Sequence, residues 1–328
     1  MKKLINNPKS LVNEMCKGME KAFGDIVKFD EKNVVISRKE SDDRKVNLIS
    51  GGGSGHEPAH GGFVGKGMLD AAVCGDVFAS PSVMQVYNAI LNNHSDKGVL
   101  LIIKNYSGDV MNFESAAEMA EDDDIKVETV CVNDDVAIKD IDERRGVAGT
   151  LYVHKIAGAA AESGADLAEV KRIAQKVIDN VRTMGVALKS CTVPARGKPT
   201  FALEDDKIEM GVGIHGEAGT YRDELKAAKE IVEKLMENIL GDLPFNSEDE
   251  VALMINGFGG TPLQELFIIN NEVEVILKEK GIKVFKTEVG NFMTSIDMDG
   301  ASITLLKLDD ELKELLKAPA NTVAWKQL

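Results

Sequence analysis

Four glycines and one serine occupy residues 51–55, directly after a short apolar run over residues 46–49, and a histidine follows at position 56. An apolar run bounded by glycine is typical of a buried strand that ends in a loop. Glycine permits positive φ and lets backbone N–H groups approach a ligand closely. Because ligands bind at the carboxyl ends of strands in open α/β sheets, the sequence predicts a polar small-molecule site here, with His56 beside it.

Apolar strand, polar loop and helical pattern alternate along the chain after the glycine run. The strand-like runs cover residues 71–74, 99–103 and 126–132. This alternation predicts a largely parallel sheet with helices on both faces. In the second half, apolar residues at helical spacing predict a helix over residues 221–240.

The length of 328 residues corresponds to about two domains. We predict a first α/β domain over residues 1–183, which carries the glycine run, and a second over residues 184–328. Each domain is expected to have a largely parallel or mixed sheet flanked by helices.

The net charge of −15 disfavours nucleic acid and anionic membranes as direct partners, since phosphate contacts need clustered lysine and arginine. No apolar run approaches the roughly 20 residues of a membrane span, and the first residues lack a signal-peptide core. The cysteines are scattered, with no Cys-x-x-Cys pair. These features favour reduced thiols and a cytoplasmic location.

Residues 56–60 formally match His-Glu-x-x-His, the zinc-protease motif in which both histidines share a helical face. Pro58 lies between the histidines and disfavours the α conformation at Glu57. We therefore reject zinc and predict no metal ligands. The glycine run is neither a Walker A loop nor Gly-x-Gly-x-x-Gly, so it gives little support for a nucleotide site, and a plain tight turn is its simplest alternative.

Lys104 and Asp109 follow the apolar strand over residues 99–103. Both would share a sheet edge with His56 if that strand neighbours residues 46–49. Simpler roles are also open. Asp109 could be a helix N-cap, and Lys104 could be a solvated strand end.

His215 follows a strand-like run in the second domain and has glycines close by on both sides. An imidazole in such uncrowded surroundings can attack a carbonyl, with Glu217 available to orient it. The alternative is a buried histidine that is merely hydrogen-bonded. His94 and His154 lie in helical segments without a polar cluster, and we interpret them as structural.

Several motifs together resemble the K subunit of dihydroxyacetone kinase, in the right order and over essentially the full chain. They are Gly51-Gly-Gly-Ser-Gly-His-Glu-Pro58, Lys104-Asn-Tyr-x-Gly-Asp109, Arg144-Arg-Gly-Val-Ala148, Gly211-x-Gly-Ile-His-Gly-Glu217 and Ser302-Ile-Thr-Leu-Leu-Lys307. The resemblance implies a two-domain α/β protein of glycerol metabolism that forms a homodimer and binds dihydroxyacetone.

The resemblance also implies roles for individual residues. His215 matches the histidine that forms a covalent hemiaminal with the ketone carbon. His56 matches the acid/base that acts on the reacting hydroxyl, and Asp109 matches the aspartate that assists it. The remaining matches to substrate-binding positions are Gly53, Ser54, Gly55 and Lys104.

The phosphoryl donor is expected on another chain, because this one has no P-loop and no obvious carboxylate set for Mg²⁺. The resemblance implies a separate L-type subunit that holds ADP and Mg²⁺ and is fed from phosphoenolpyruvate through a phosphotransferase relay. No cofactor is therefore expected on this chain.

A second class of related proteins binds dihydroxyacetone covalently but acts as a co-activator with a TetR-like transcription factor. This chain departs from the usual kinase pattern in three loops. Ala218 replaces a proline, Ser82-Val83 stands where Thr-Pro is usual, and the loop before Arg144 is shorter. The altered loops fit the co-activator, whereas the retained His56, Lys104 and Asp109 favour the kinase subunit.

Overall fold

The computed structural model describes residues 2–328. Its strands are β1 (Val27–Asp30), β2 (Val35–Arg38), β3 (Asn47–Ser54), β4 (Gly65–Lys66), β5 (Ala71–Val77), β6 (Val99–Lys104), β7 (Val127–Val132), β8 (Val181–Lys189), β9 (Lys207–Met210), β10 (Tyr221–Glu224), β11 (Glu250–Gly257), β12 (Lys283–Gly290), β13 (Asp299–Leu308), β14 (Ala320–Thr322) and β15 (Lys326–Gln327). Its α-helices are α1 (Leu11–Ala22), α2 (Val83–Asn93), α3 (Ser107–Asp122), α4 (Thr150–Glu162), α5 (Leu167–Asn180), α6 (Ala228–Asp242), α7 (Leu263–Glu279) and α8 (Asp310–Lys317).

The chain divides into two compact units, each built on a six-stranded sheet with helices. The glycine unit comprises Lys2–Val132, Thr150–Ile178 and Leu312–Leu328. The His215 unit comprises Asn133–Gly149 and Asp179–Glu311. The predicted α/β class is confirmed. Across residues 2–328, no helix combines the length and apolar character needed to cross a bilayer.

The sheet of the glycine unit has the strand order β1-β2-β5-β3-β6-β7. Strand β3 pairs in parallel with both β5 and β6, and β7 pairs in parallel with β6. The carboxyl ends of these four strands therefore lie along one edge. The adjacency of β3 and β6, on which the expected meeting of His56 with Lys104 and Asp109 depends, is present.

The glycines after Ile49 continue strand β3 as far as Ser54, so the prediction that the strand gives way to a glycine loop there is wrong. Close backbone neighbours explain the composition of this stretch. A Cβ added at Gly51 would lie 2.4 Å from the carbonyl oxygen of Val73 on β5, and one at Gly53 would lie 2.7 Å from the amide nitrogen of Ala79. Glycine lets these backbones approach while β3 keeps its pairing to β5.

The sheet of the His215 unit has the order β10-β9-β8-β13-β11-β12. Only β11 and β12 pair in parallel, so the sheet is mixed. The predicted helix over residues 221–240 is wrong in its first part, because Tyr221–Glu224 forms β10 and the helix begins at Ala228. Strand β10 pairs with β9, and the Arg222 guanidinium contacts Glu209 across the pair at 3.0 Å. This tertiary pairing overrides the helical pattern.

The units are not contiguous in sequence, which differs from the predicted division at residue 183. Asn133–Gly149 belongs with the later segment because Asp135 bridges to Thr183, and the Thr183 amide donates to the carbonyl of Asp134. Leu312–Leu328 belongs with the glycine unit because β14 pairs with β4. The longer segment of the His215 unit begins at Asp179, close to the predicted boundary at residue 183.

Candidate functional site

Lys104 and Asp109 meet at the carboxyl end of β3, inside the glycine unit. Both side chains are buried, and Lys104 Nζ donates to the Gly51 carbonyl at 2.9 Å and to Asp109 Oδ2 at 3.3 Å. Lys104 is therefore not a solvated strand end. Asp109 lies within the first turn of α3, whose N-cap is Tyr106, so Asp109 is not the cap either. The chain buries a charged pair at this edge of the sheet.

Gly52 makes room for this pair. Its φ is +135°, a backbone conformation that favours glycine. A Cβ at this position would lie 2.3 Å from Lys104 Nζ and 2.8 Å from Asp109 Oδ2. The absence of a side chain at Gly52 therefore leaves the space that the Lys104 ammonium and the Asp109 carboxylate occupy.

His60 also contacts Lys104, and sequence analysis missed this contact. Its Nε2 lies 3.1 Å from Lys104 Nζ, and its Nδ1 lies 3.5 Å from Ser50 Oγ. Burial lowers the pKa of His60 well below its usual range, and the Lys104 charge lowers the pKa further. The imidazole is therefore neutral at pH 7. The available signal was the second histidine of the rejected zinc motif, which was considered only as a metal ligand.

His154 on α4 packs against His60, with ring centroids 5.2 Å apart and ring planes tilted by 58°. Within the described chain, neither of its ring nitrogens has a hydrogen-bond partner. Burial, with a smaller contribution from the Lys104 charge, lowers the pKa of His154 to about 3. The side chain thus behaves as a neutral packing ring, which agrees with its interpretation as structural.

His56 is fully buried and stacks on Phe78, with ring centroids 5.3 Å apart. Residues 55–60 form bends and turns, so His56 and His60 do not share a helical face. Across residues 2–328, no group of three or more His, Cys, Asp or Glu side chains could hold a metal ion.

The neighbouring positions that are expected to bind substrate are held by hydrogen bonds and close backbone contacts within the protein. Ser54 Oγ donates to the Gly75 carbonyl at 2.7 Å. The Gly55 amide donates to the Glu57 carboxylate, whose pKa burial raises. Gly53 lies against the backbone of residues 78–79. These contacts fix the backbone that leads to His56.

His215 lies in the other unit, on a loop held by ion pairs. Glu217 accepts a hydrogen bond from the His215 backbone amide at 2.7 Å and contacts the Arg145 guanidinium at 3.2 Å. Arg145 also binds the Asp135 carboxylate and the Gly211 carbonyl. Burial raises the pKa of Asp135 to about 6, although the Arg145 charge opposes the shift. Glu217 therefore fixes the backbone at His215, where sequence analysis expected it to orient the imidazole.

Asp109 carries the most informative polar atom of the glycine unit. Its Oδ1 is buried and has no hydrogen-bond partner in the described chain, while Oδ2 is held by Lys104. A buried acceptor without a donor costs about 1–3 kcal/mol, so such atoms are usually explained by a ligand or water. The arrangement can accept a proton or a hydrogen bond from a polar molecule at the strand ends.

A family model of the Dak1 domain matches residues 17–324. The chain belongs to the Dak1 family. The resemblance stated from the motifs is thereby confirmed. Among Dak1 relatives, the PTS-dependent dihydroxyacetone kinase 1, dihydroxyacetone-binding subunit DhaK of Listeria innocua is 50% identical, over 99% of this chain and 100% of its own length.

Solved Dak1 structures include both functional classes. The dihydroxyacetone kinase operon co-activator Dha-DhaQ superposes with a TM-score of 0.92 and 34% identity, over 96% of this chain and 98% of its own. The dihydroxyacetone kinase of C. freundii also gives a TM-score of 0.92, with 38% identity, over 99% of this chain and 60% of that chain.

Proposed function

We propose that this chain is the dihydroxyacetone-binding subunit of a phosphoenolpyruvate-dependent dihydroxyacetone kinase, and that it acts in the cytoplasm. The observation that carries the proposal is the buried Lys104–Asp109 pair, in which Asp109 Oδ1 remains without a donor. A hydroxyl-bearing substrate supplies such a donor. Half of this chain's residues are identical to those of a relative named as the dihydroxyacetone-binding subunit of such a kinase.

His215 is the proposed covalent anchor. The ring nitrogen that carries the lone pair attacks the ketone carbon, and the C=O π pair moves to oxygen. That oxygen takes a proton as the other ring nitrogen loses its own. The product is a neutral hemiaminal. A triose offers little binding surface, so a reversible bond holds and orients it better than contacts alone. The Glu217 and Arg145 contacts support this role, because they fix the backbone from which the imidazole projects.

His56 is the proposed base for the reacting hydroxyl, with Asp109 assisting it. As the phosphoryl group arrives, the hydroxyl proton passes to the imidazole, and the carboxylate stabilises the resulting charge. Lys104 is proposed to border the bound substrate while its ammonium keeps the bond to Asp109 at 3.3 Å. The backbone at Gly53, Ser54 and Gly55 completes the proposed pocket wall.

The partners follow from what this chain is proposed to do. We propose that a separate L-type subunit holds ADP and Mg²⁺ and supplies the phosphoryl group. That subunit receives the phosphoryl group through the phosphotransferase relay. We also propose that the chain forms a homodimer, as the family resemblance implies. Exposed apolar side chains on α7, including Leu263, Phe267 and Ile268, provide surface suited to pairing with a second copy.

A ligand-sensing co-activator that pairs with a TetR-like transcription factor is the second candidate function. The match to Dha-DhaQ over 96% of this chain favours it, as do Ala218 and the residues after Pro81 that depart from the kinase pattern. Retention of the complete Lys104–Asp109 pair favours the kinase.

Turnover separates the two functions. The purified chain is mixed with a phosphorylation-competent L-type subunit and dihydroxyacetone, and triose phosphate is measured together with the intact mass of the chain. The kinase predicts product, and a mass increase equal to one triose that is lost in His215→Ala. A mass increase without product would establish the co-activator instead.

A further inference from the structure

We propose that His60 is a positioning residue for phosphoryl transfer: it holds the Lys104 ammonium, which in turn sets the orientation of Asp109. The inference deepens the proposed function and rests on it. It arises from a buried hydrogen-bond chain of Ser50, His60, Lys104 and Asp109.

The ammonium of Lys104 is fully committed within the protein. A protonated lysine has three N–H donors and no acceptor, and the three contacts of Nζ are the Gly51 carbonyl at 2.9 Å, His60 Nε2 at 3.1 Å and Asp109 Oδ2 at 3.3 Å. The Lys104 side chain is 0% exposed. Solvent therefore does not replace an acceptor that is removed, and the ammonium has to move toward other partners.

The hydrogen-bond chain also fixes the tautomer of His60. Because the ammonium can only donate, Nε2 carries the lone pair and Nδ1 carries the proton. Nδ1 faces Ser50 Oγ at 3.5 Å, and that hydroxyl donates to the Ile102 carbonyl at 2.7 Å. Ile102 and Lys104 both belong to β6. The hydrogen bonds on both sides of His60 therefore lead back to one strand, β6, through Ser50 on one side and Lys104 on the other.

The consequence lies at Asp109. Lys104 occupies Oδ2, which leaves Oδ1 as the oxygen without a donor. If Lys104 shifts, the carboxylate loses the contact that distinguishes its two oxygens. His60 thus acts on the reaction through Lys104, without contacting substrate itself.

His60 does not exchange protons near neutral pH in this scheme. Burial and the Lys104 charge favour the neutral ring of His60, and a proton on the nearby His154 or His56 ring would favour it further. A positioning role requires only the lone pair on Nε2, so a residue that supplies an acceptor at the same place is expected to replace it.

The test compares His60→Gln with His60→Asn. Glutamine places its amide oxygen near the position of Nε2, whereas asparagine reaches only the position of Nδ1. We expect His60→Gln to keep kcat within about tenfold and His60→Asn to lose roughly 100-fold, with little change in KM, since misplacement by about 1 Å costs that much. His154→Phe is the matched control, because it keeps the ring packing and removes no hydrogen bond; we expect an unchanged kcat.

A second readout does not depend on turnover. In protein with ¹⁵N-labelled lysine, the buried Lys104 ammonium is expected to give a slowly exchanging NMR signal in the wild type and in His60→Gln, and to lose it in His60→Asn. If His60→Asn does not fold, His60→Phe removes the same acceptor while keeping the ring. The pH profile of kcat in His60→Gln is expected to match the wild type.

The outcomes separate the two proposals. A wild-type chain that forms the His215 adduct without product refutes the kinase, while the ammonium signal still decides the role of His60. Full kcat in His60→Asn, equal losses in Gln and Asn, or an ammonium signal unaffected by His60→Asn would each overturn the positioning role.

Discussion

Lys104 Nζ lies 3.1 Å from His60 Nε2 and 3.3 Å from Asp109 Oδ2, so one ammonium links a histidine of the segment after β3 to the first turn of α3. The link brings together two sequence motifs that lie more than forty residues apart. It also explains why glycine occupies position 52 of β3, since a side chain there would occupy the place of the ammonium.

Gly52→Ala tests this spatial argument. The new methyl group meets Lys104 Nζ, and the positive φ is unfavourable for alanine, at a cost of about 1–3 kcal/mol. We expect catalytic rate to fall by at least about 10²-fold, since the ammonium is displaced. Gly18→Ala on α1 is the control, because nothing lies within 4 Å of the added Cβ. It is expected to leave activity unchanged and to add up to about 1 kcal/mol to the free energy of unfolding.

His154 gives the protein a defined pH dependence of stability. Its pKa is about 3 in the folded chain against an ordinary value of 6.5, so the unfolded chain binds the proton first as pH falls. This group therefore leaves the stability of the protein unchanged above pH 6.5 and lowers it progressively as the pH falls from 6.5 toward 3.

His154→Phe removes this term. As the pH falls below 6.5, we expect the free energy of unfolding of the variant to rise relative to that of the wild type, by at most about 1.4 kcal/mol per pH unit. Urea denaturation at several pH values measures the difference. Parallel curves for the two proteins between pH 7 and pH 5 would contradict the neutral, unpartnered state of His154.

Glu217→Ala tests the support of the covalent anchor. It removes the acceptor of the His215 amide and the partner of the Arg145 guanidinium. We expect the rate of adduct formation with dihydroxyacetone to fall by roughly tenfold to 100-fold, because the imidazole is less well placed. Time-resolved intact mass measures it. Glu233→Ala, on the exposed side of α6, is the matched control with an unchanged rate; equal rates in both variants would show that Glu217 has no such role.

Much of the glycine unit could be predicted from sequence. The apolar runs identify β5, β6 and β7, and alternation with helices predicts their parallel pairing, because buried parallel strands must be apolar on both faces. The positions of Lys104 at the end of β6 and of Asp109 shortly after it follow from the same logic. Their burial as a pair does not, since it depends on space left by Gly52 on the neighbouring strand.

Three features were beyond sequence patterns because they depend on contacts between distant segments. The extension of β3 to Ser54 reflects pairing with β5, and the strand at Tyr221–Glu224 reflects pairing with β9. The role of His60 depends on a side chain 44 positions away. A helical or motif-based interpretation uses only local spacing, and at each of these places a tertiary partner decides.

The most direct test of the account is the initial rate of triose phosphate formation by the wild type and by Asp109→Asn, each with the same phosphorylated L-type subunit and saturating dihydroxyacetone. The asparagine keeps the size of the side chain and removes its charge. The account predicts product from the wild type and a loss of about 10²–10⁴-fold in Asp109→Asn, with the His215 adduct intact in both. Equal rates in the two proteins, or an adduct without any product from the wild type, would contradict it.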